Sequence, residues 1–421
     1  MSNLKRTELA RGVHFNSVSD NRFKTMLIEA NFVVPLCAET ASANALLMYV
    51  LSRSCREYPT NRALCKKLGS LYGAELSAAT GKSGDRQLLT LTVTGLDDRY
   101  ALNGESIAEQ LSSLLCKVIF EPNIENGAFI SSEIEQERRQ LLDDIDSEFN
   151  DKRTYAIGQM IKNMCENETF GIRRFGTAEQ VKALTSDDLY KAWKSILKNA
   201  EIELMYVGDS DPEKARAVFA DAFKGINREP EKTETQVIAS AEKVKRITEE
   251  MELSQSKFVM GFRGGRAFPD KNALASQLMA AVLGGTATSK LFCNVREKQS
   301  LCYYCAARYN KIKGIMIIDS GVEGENIEKL ERGIMKEIAD MQNGDITDFE
   351  LEATKLAVIN SYYSSNDTVR GIDSWYMNRI FDGEICSIEE MAEKINAITK
   401  QDVIEAAKLL TLDTIYTLKS K

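Results

Sequence analysis

Residues 178–197, AEQVKALTSDDLYKAWKSIL, are echoed near the end of the chain by residues 392–410, AEKINAITKQDVIEAAKLL. The two stretches superpose without a gap, with Thr185 standing over Thr399 and Asp188 over Asp402. In each copy a Thr followed three residues later by Asp predicts a capping box at the head of an amphipathic helix, because the hydroxyl and the carboxylate can each satisfy an amide left unpaired in the first turn. Each helix then leads into a terminal strand, over 202–207 in the first copy and 414–418 in the second. The openings match too: two alternating apolar runs in 12–36 precede a helix over 40–56, and a strand over 257–262 precedes a helix over 272–283. Between the halves, 225–242 contains NREPEKTET and no helical period, so it reads as a linker. The expected architecture is α+β, a tandem duplication of two similar domains, each an antiparallel sheet with helices packed on one face. The first spans 1–228, the linker 229–243 and the second 244–421.

Within the first half, 87–95 (QLLTLTVTG) alternates as a strand and 103–119 follows as a helix. A charged amphipathic helix is expected over 133–147, with Ile134, Leu141, Leu142 and Ile145 on its inner face. No apolar run reaches the roughly 18 residues that a membrane span needs. The net charge of −8 has no long single-sign block, which argues against nucleic acid as the main partner. Residues 1–12 lack an apolar core of the secretory type, and nine scattered cysteines suit reduced thiols; the cytoplasm is the expected location.

Three local features invite chemistry. Cys302-Tyr-Tyr-Cys305 has the spacing of a redox or zinc pair, but strand positions i and i+3 face opposite sides, so the thiols are expected to diverge. His14 is the one histidine, and it reads as a strand residue without a catalytic partner or nucleophile motif. The loop 284–290, GGTATSK, lacks the Gly before Lys that a phosphate loop requires.

A resemblance spans nearly the whole chain. Tyr58-Pro-Thr60, Leu71-Tyr-Gly-Ala-Glu-Leu76, 122–129 (PNIENGAF) and 137–145 (ERRQLLDDI) in the first half, with Leu283-Gly-Gly285, Ser289-Lys-Leu-Phe292 and 295–303 (VREKQSLCY) in the second, resemble the pitrilysin/insulinase metallopeptidases, specifically the half-size bacterial members related to the mitochondrial processing peptidase. The stretches 126–129 and 150–156 further resemble a zinc-free branch that accompanies a zinc-carrying paralogue. The resemblance implies half of a clam-shell that encloses peptide.

Catalytic members carry His-x-x-Glu-His on their first long helix and a further Glu two helices later. Histidines at i and i+4 bind zinc on one helix face, and the Glu between them activates the metal-bound water. Counting back from the Gly73 turn places the motif at or within a residue of Leu47, Val50 and Leu51, and the distal Glu position on Asp144. With one histidine in the chain, a two-histidine site cannot be assembled. No metal or cofactor is expected in this chain; the resemblance places zinc in a paralogous partner subunit. What survives is the Arg and Tyr seven residues apart that the family's second half supplies, here Arg296 and Tyr303. The resemblance implies that they hold substrate and support the transition state at the partner's site, since a guanidinium fork grips a carbonyl or carboxylate and a phenol can donate to an oxyanion. An Arg296–Glu297 ion pair with Tyr303 as packing is the structural alternative. The expected function is therefore the non-zinc subunit of a heterodimeric metalloendopeptidase that processes peptides. A purely structural or peptide-binding pseudoenzyme is the alternative, and the isolated chain could form a homodimer. Substrate would add as a strand to a sheet edge, offered by 313–321 or 87–95.

Overall fold

The computed structural model of the protein describes residues 4–421. Its long strands are β1 (Leu4–Ala10), β2 (Val13–Ser19), β3 (Thr25–Pro35), β4 (Glu75–Ser83), β5 (Arg86–Leu96), β6 (Glu201–Gly208), β7 (Lys245–Met251), β8 (Ser256–Arg263), β9 (Cys302–Asn310), β10 (Ile315–Val322) and β11 (Thr411–Ser420). Helices used below are α1 (Ala41–Leu51), α2 (Ser131–Asn150), α3 (Lys152–Met164), α4 (Ser186–Asn199), α5 (Val369–Asp382) and α6 (Lys400–Lys408).

Two large sheets form, ordered β1-β2-β6-β3-β5-β4 and β9-β10-β8-β11-β7, beside a two-stranded ribbon of Ile124–Glu125 and Ala128–Phe129. In the first, β6 runs parallel to β2 and antiparallel to β3, and β3, β5 and β4 then pair antiparallel. In the second, β11 runs parallel to β7 and antiparallel to β8, and β8, β10 and β9 pair antiparallel in the same way. The two halves therefore share one α+β topology, with β1 as an extra edge on the first. The helices before β6 and β11 begin with the expected boxes: the Thr185 hydroxyl accepts from the Asp188 amide while the Asp188 carboxylate accepts from the Thr185 amide, and Thr399 and Asp402 repeat the exchange.

Contacts divide the chain into two compact units. One comprises the chain up to Asp146, Ile172–Glu234 and Ser365–Ile385; the other comprises Ser147–Gly171, Thr235–Ser364 and Cys386–Lys421. The chain thus passes between units not only at 234/235 but at four further points. The reason is sheet burial. β3 and β8 are buried along nearly their whole length, on both faces, so each sheet needs cover on the face its own helices leave open. In the second unit that cover is α3, whose Ala156, Met160 and Met164 pack with Val259, Ile315, Tyr416 and Leu418. A Cβ at Gly261 would lie 2.5 Å from the Met160 sulfur, so glycine lets α3 seat on β8. In the first unit α5 lies against β3 and β6. The expectation of helices on one face only is corrected accordingly.

Two further expectations change. β5 and β10, which contain the stretches proposed as peptide-accepting edges, are interior strands paired on both sides. The outer strands are β1 and β4 in one sheet and β9 and β7 in the other. The linker region lacks regular structure but is anchored: the buried Arg228 guanidinium donates to the Leu197 and Ala200 carbonyls at the end of α4 and, at 3.2 Å, to the Arg11 carbonyl. No helix among the described residues is long and apolar enough to cross a membrane.

Candidate functional site

The end of α1 that meets α2 is where the family resemblance would place a metal site. Leu47 is fully buried, and Val50 and Leu51 are each 2 % exposed, all three within the apolar core. The residue that reaches Asp144 is Tyr49, whose hydroxyl donates to Asp144 Oδ2 while the Gln140 amide donates to Oδ1 at 3.1 Å. One turn on, Arg53 pairs with Glu137 at 2.5 Å and also donates to Gln136. Glu137 and Asp144 are spaced i, i+7 on one face of α2, and Tyr49 in the last turn of α1 and Arg53 just beyond its end reach them.

Of the residues around the expected motif, Leu47, Val50 and Leu51 pack in the core, whereas the side chains that meet Asp144 and Glu137 are those of Tyr49 and Arg53. That meeting point is not apolar. A phenol and a guanidinium occupy it, and the guanidinium supplies the positive charge that Glu137 would otherwise lack. Burial, and then the hydrogen bond to Asp144, push the Tyr49 hydroxyl well above its ordinary range, so it stays a protonated donor.

These residues do not suit zinc, which wants imidazole, thiolate or carboxylate lone pairs, because both carboxylates already accept from protein donors. Among the described residues no three His, Cys, Asp or Glu side chains gather as a metal site. His14 lies on β2 with Nδ1 3.3 Å from Glu203, a carboxylate that also accepts from Arg6 and Asn16.

Arg296 and Tyr303 come together at the other sheet. The segment Leu291–Lys298 is wound as a π-helix, a widened turn of the kind often found at functional positions. The chain then reverses through Ser300, at φ 50°, and the Leu301 amide donates to the Val295 carbonyl at 3.3 Å. Across this loop Arg296 Nε donates to the Tyr303 carbonyl at 2.9 Å. The guanidinium also pairs with Glu297 at 3.1 Å and stacks on Phe292, 4.6 Å from the ring centre. Tyr303 is 61 % exposed, and its hydroxyl donates to Glu323 at 2.9 Å, a bond that raises the phenol's pKa and keeps it protonated. A donor phenol at the start of the outer strand β9 and a guanidinium on the π-helix before it are therefore held together across one short reversal.

The same strand corrects the expectation for Cys302 and Cys305. The pairing register between β9 and β10 slips between Cys302 and Tyr304, which brings the two thiols to one side.

The family model described as the peptidase M16 inactive domain matches residues 183–358, the stretch that holds the Arg296–Tyr303 loop. The chain is similar to inactive members of the M16 peptidase family. A probable inactive metalloprotease of Bacillus subtilis, YmfF, is 29% identical over 97% of this chain and 96% of that protein. The antilisterial bacteriocin subtilosin biosynthesis protein AlbE of the same species is 21% identical over 93% of this chain and 95% of its own length. A conserved protein of Enterococcus faecalis has a solved structure that superposes at a TM-score of 0.92, with 26% identity over 100% of this chain and 99% of its own. Both the matching family model and the YmfF relative are described as inactive.

Proposed function

We infer that this chain is the non-zinc subunit of a two-chain zinc endopeptidase, binding peptide and lending Arg296 and Tyr303 to a partner that carries zinc on His-x-x-Glu-His. The observation that carries this reading is the pairing, across one short reversal, of an exposed, protonated phenol with a guanidinium, in a chain that has one histidine and whose Asp144 and Glu137 are met by Tyr49 and Arg53. The outer strand β9 continues from that reversal, so a peptide added along it by main-chain hydrogen bonds would run beside Tyr303. Domains 1–228 and 244–421, joined through 229–243, would form half of a chamber that the partner completes, in the cytoplasm. The AlbE relative, named for bacteriocin biosynthesis, favours a bacteriocin-class peptide as substrate.

The test is reconstitution with a zinc-bearing paralogue from the same genome. Arg296→Ala and Tyr303→Phe should each lower kcat about 10²-fold, the scale for removing an oxyanion donor. Assembly, read by size-exclusion chromatography, should persist. Unchanged turnover with assembly intact sinks the catalytic contribution. A second reading, a structural pseudoenzyme, draws on the fact that Arg296 and Tyr303 already find Glu297 and Glu323 within their own unit. On that reading both variants assemble and turn over as wild type.

A further inference from the structure

Cys302-Tyr-Tyr-Cys305 is left unused by the function above. In a regular strand its sulfurs would stand on opposite faces. Here Cys302 lies opposite Val322, Tyr304 opposite Gly321 and Cys305 opposite Ser320. Val322 and Ser320 are two residues apart on β10 and share a face, so the bulge at Tyr303 places both cysteines on that face as neighbours. Cys305 is buried among apolar residues, while Cys302 is half-buried at the rim of the same cluster.

The thiols hydrogen-bond to each other, and their environments separate them. The bond from Cys305, opposed by burial and aided by Ser320 and the nearby Arg296 charge, holds Cys302 down to about 7. The same bond, with burial, pushes Cys305 well above the ordinary thiol range. An accessible thiolate beside a buried protonated thiol is the arrangement that thiol–disulfide exchange uses.

We propose that Cys302 and Cys305 form a reversible dithiol–disulfide couple, with Cys302 as the attacking sulfur, Cys305 as the resolving sulfur and a low-molecular-weight disulfide as the oxidant. Cys302 thiolate attacks one sulfur of the oxidant, forming a mixed disulfide and releasing one thiolate, which takes a proton from water. Cys305 then loses its proton to solvent and attacks the Cys302 sulfur, releasing the second small thiol. The protein dithiol gives up two electrons and the oxidant becomes two thiols. The closed ring holds Tyr303 and Tyr304 between its sulfurs. The couple requires nothing from the peptidase reading.

Glutathione disulfide serves as the probe, on the reduced full-length chain. Trypsin releases Gln299–Arg308 with both sulfurs in one peptide, so oxidation reads as a mass loss of about 2 Da, reversed by dithiothreitol. Alkylation of Cys302 should follow a pH midpoint of about 7. Cys305→Ser should stop at a glutathione adduct on Cys302, and Cys302→Ser should leave Cys305 unmodified. The proposal is overturned if the exposed Cys65 acquires glutathione while Gln299–Arg308 keeps its reduced mass. An adduct on Cys305 in the Cys302→Ser chain overturns the assignment of roles.

Discussion

Lys313 has no exposed surface, yet it carries a charge in the second unit. Its ammonium lies 2.8 Å from Glu168 and also donates to the Gln236 carbonyl. Glu168 accepts from Arg263 at 2.7 Å, and Arg263 pairs with Asp413 at 2.7 Å. The cluster is balanced, two cations against two anions, with every side chain below 10 % exposed. It ties the segment after α3 to the ends of β8 and β11. Replacing Lys313 by Met keeps the stem's volume but leaves a net buried negative charge. Breaking a buried pair costs about 3–5 kcal/mol. Because Glu168 retains Arg263, the low end applies, and Lys313→Met should destabilise the unit by about 3 kcal/mol. Adding Glu168→Gln restores neutrality and should recover roughly half of that loss, a coupling that only a charge-balance origin produces.

Two units can unfold separately, so the measurement is hydrogen exchange of the β8 and β11 peptides as urea rises. The pH dependence has a definite sign. Burial pushes the Glu168 carboxyl up, but hydrogen bonds from Arg263 and Lys313 outweigh it and hold the pKa below the ordinary value. Its contribution is thus present above the unfolded carboxylate pKa and is lost as pH falls through the folded value. Lys313→Met should move that loss to higher pH. A double variant no more stable than Lys313→Met, or a single variant costing under about 1 kcal/mol, would refute the reasoning.

The register of the vacated motif can be tested by building imidazoles into it. Tyr49→His with Arg53→His should gain zinc binding beside Asp144 and Glu137, seen as zinc-dependent thermal stabilisation, whereas Leu47→His with Leu51→His should lose at least about 3 kcal/mol by placing polar rings in the core. Zinc stabilisation by the second pair would reverse the assignment. In the first unit, burial and then the neighbouring Glu29 raise the Asp373 carboxyl well above its ordinary value, partly opposed by Arg370. Its stabilising contribution is complete below about pH 4, the unfolded carboxylate value, and fades as pH climbs toward the folded one. Asp373→Asn should flatten that decline in pH-dependent melts, and an unchanged slope counts against it. Thr399→Ala removes the cap of α6 and should cost about 1 kcal/mol by chemical denaturation, with Thr185→Ala matching it on α4.

Local interactions were legible without coordinates. The Thr–Asp boxes span four residues, so their sequence spacing alone dictates their geometry, and their recurrence exposed the duplication. The single histidine excluded a two-imidazole site by count, whatever the fold. Features that depend on partners far along the chain were decided only by tertiary structure. Whether β5 and β10 are edges depends on which strands flank them, and alternation along one strand is the same in either place. Which side of α1 meets Asp144 depends on where α2 packs, so Leu47 and Tyr49 could not be told apart by counting. The facing of Cys302 and Cys305 turns on one extra residue in the β9–β10 pairing, and a slip of one position reverses every side chain beyond it.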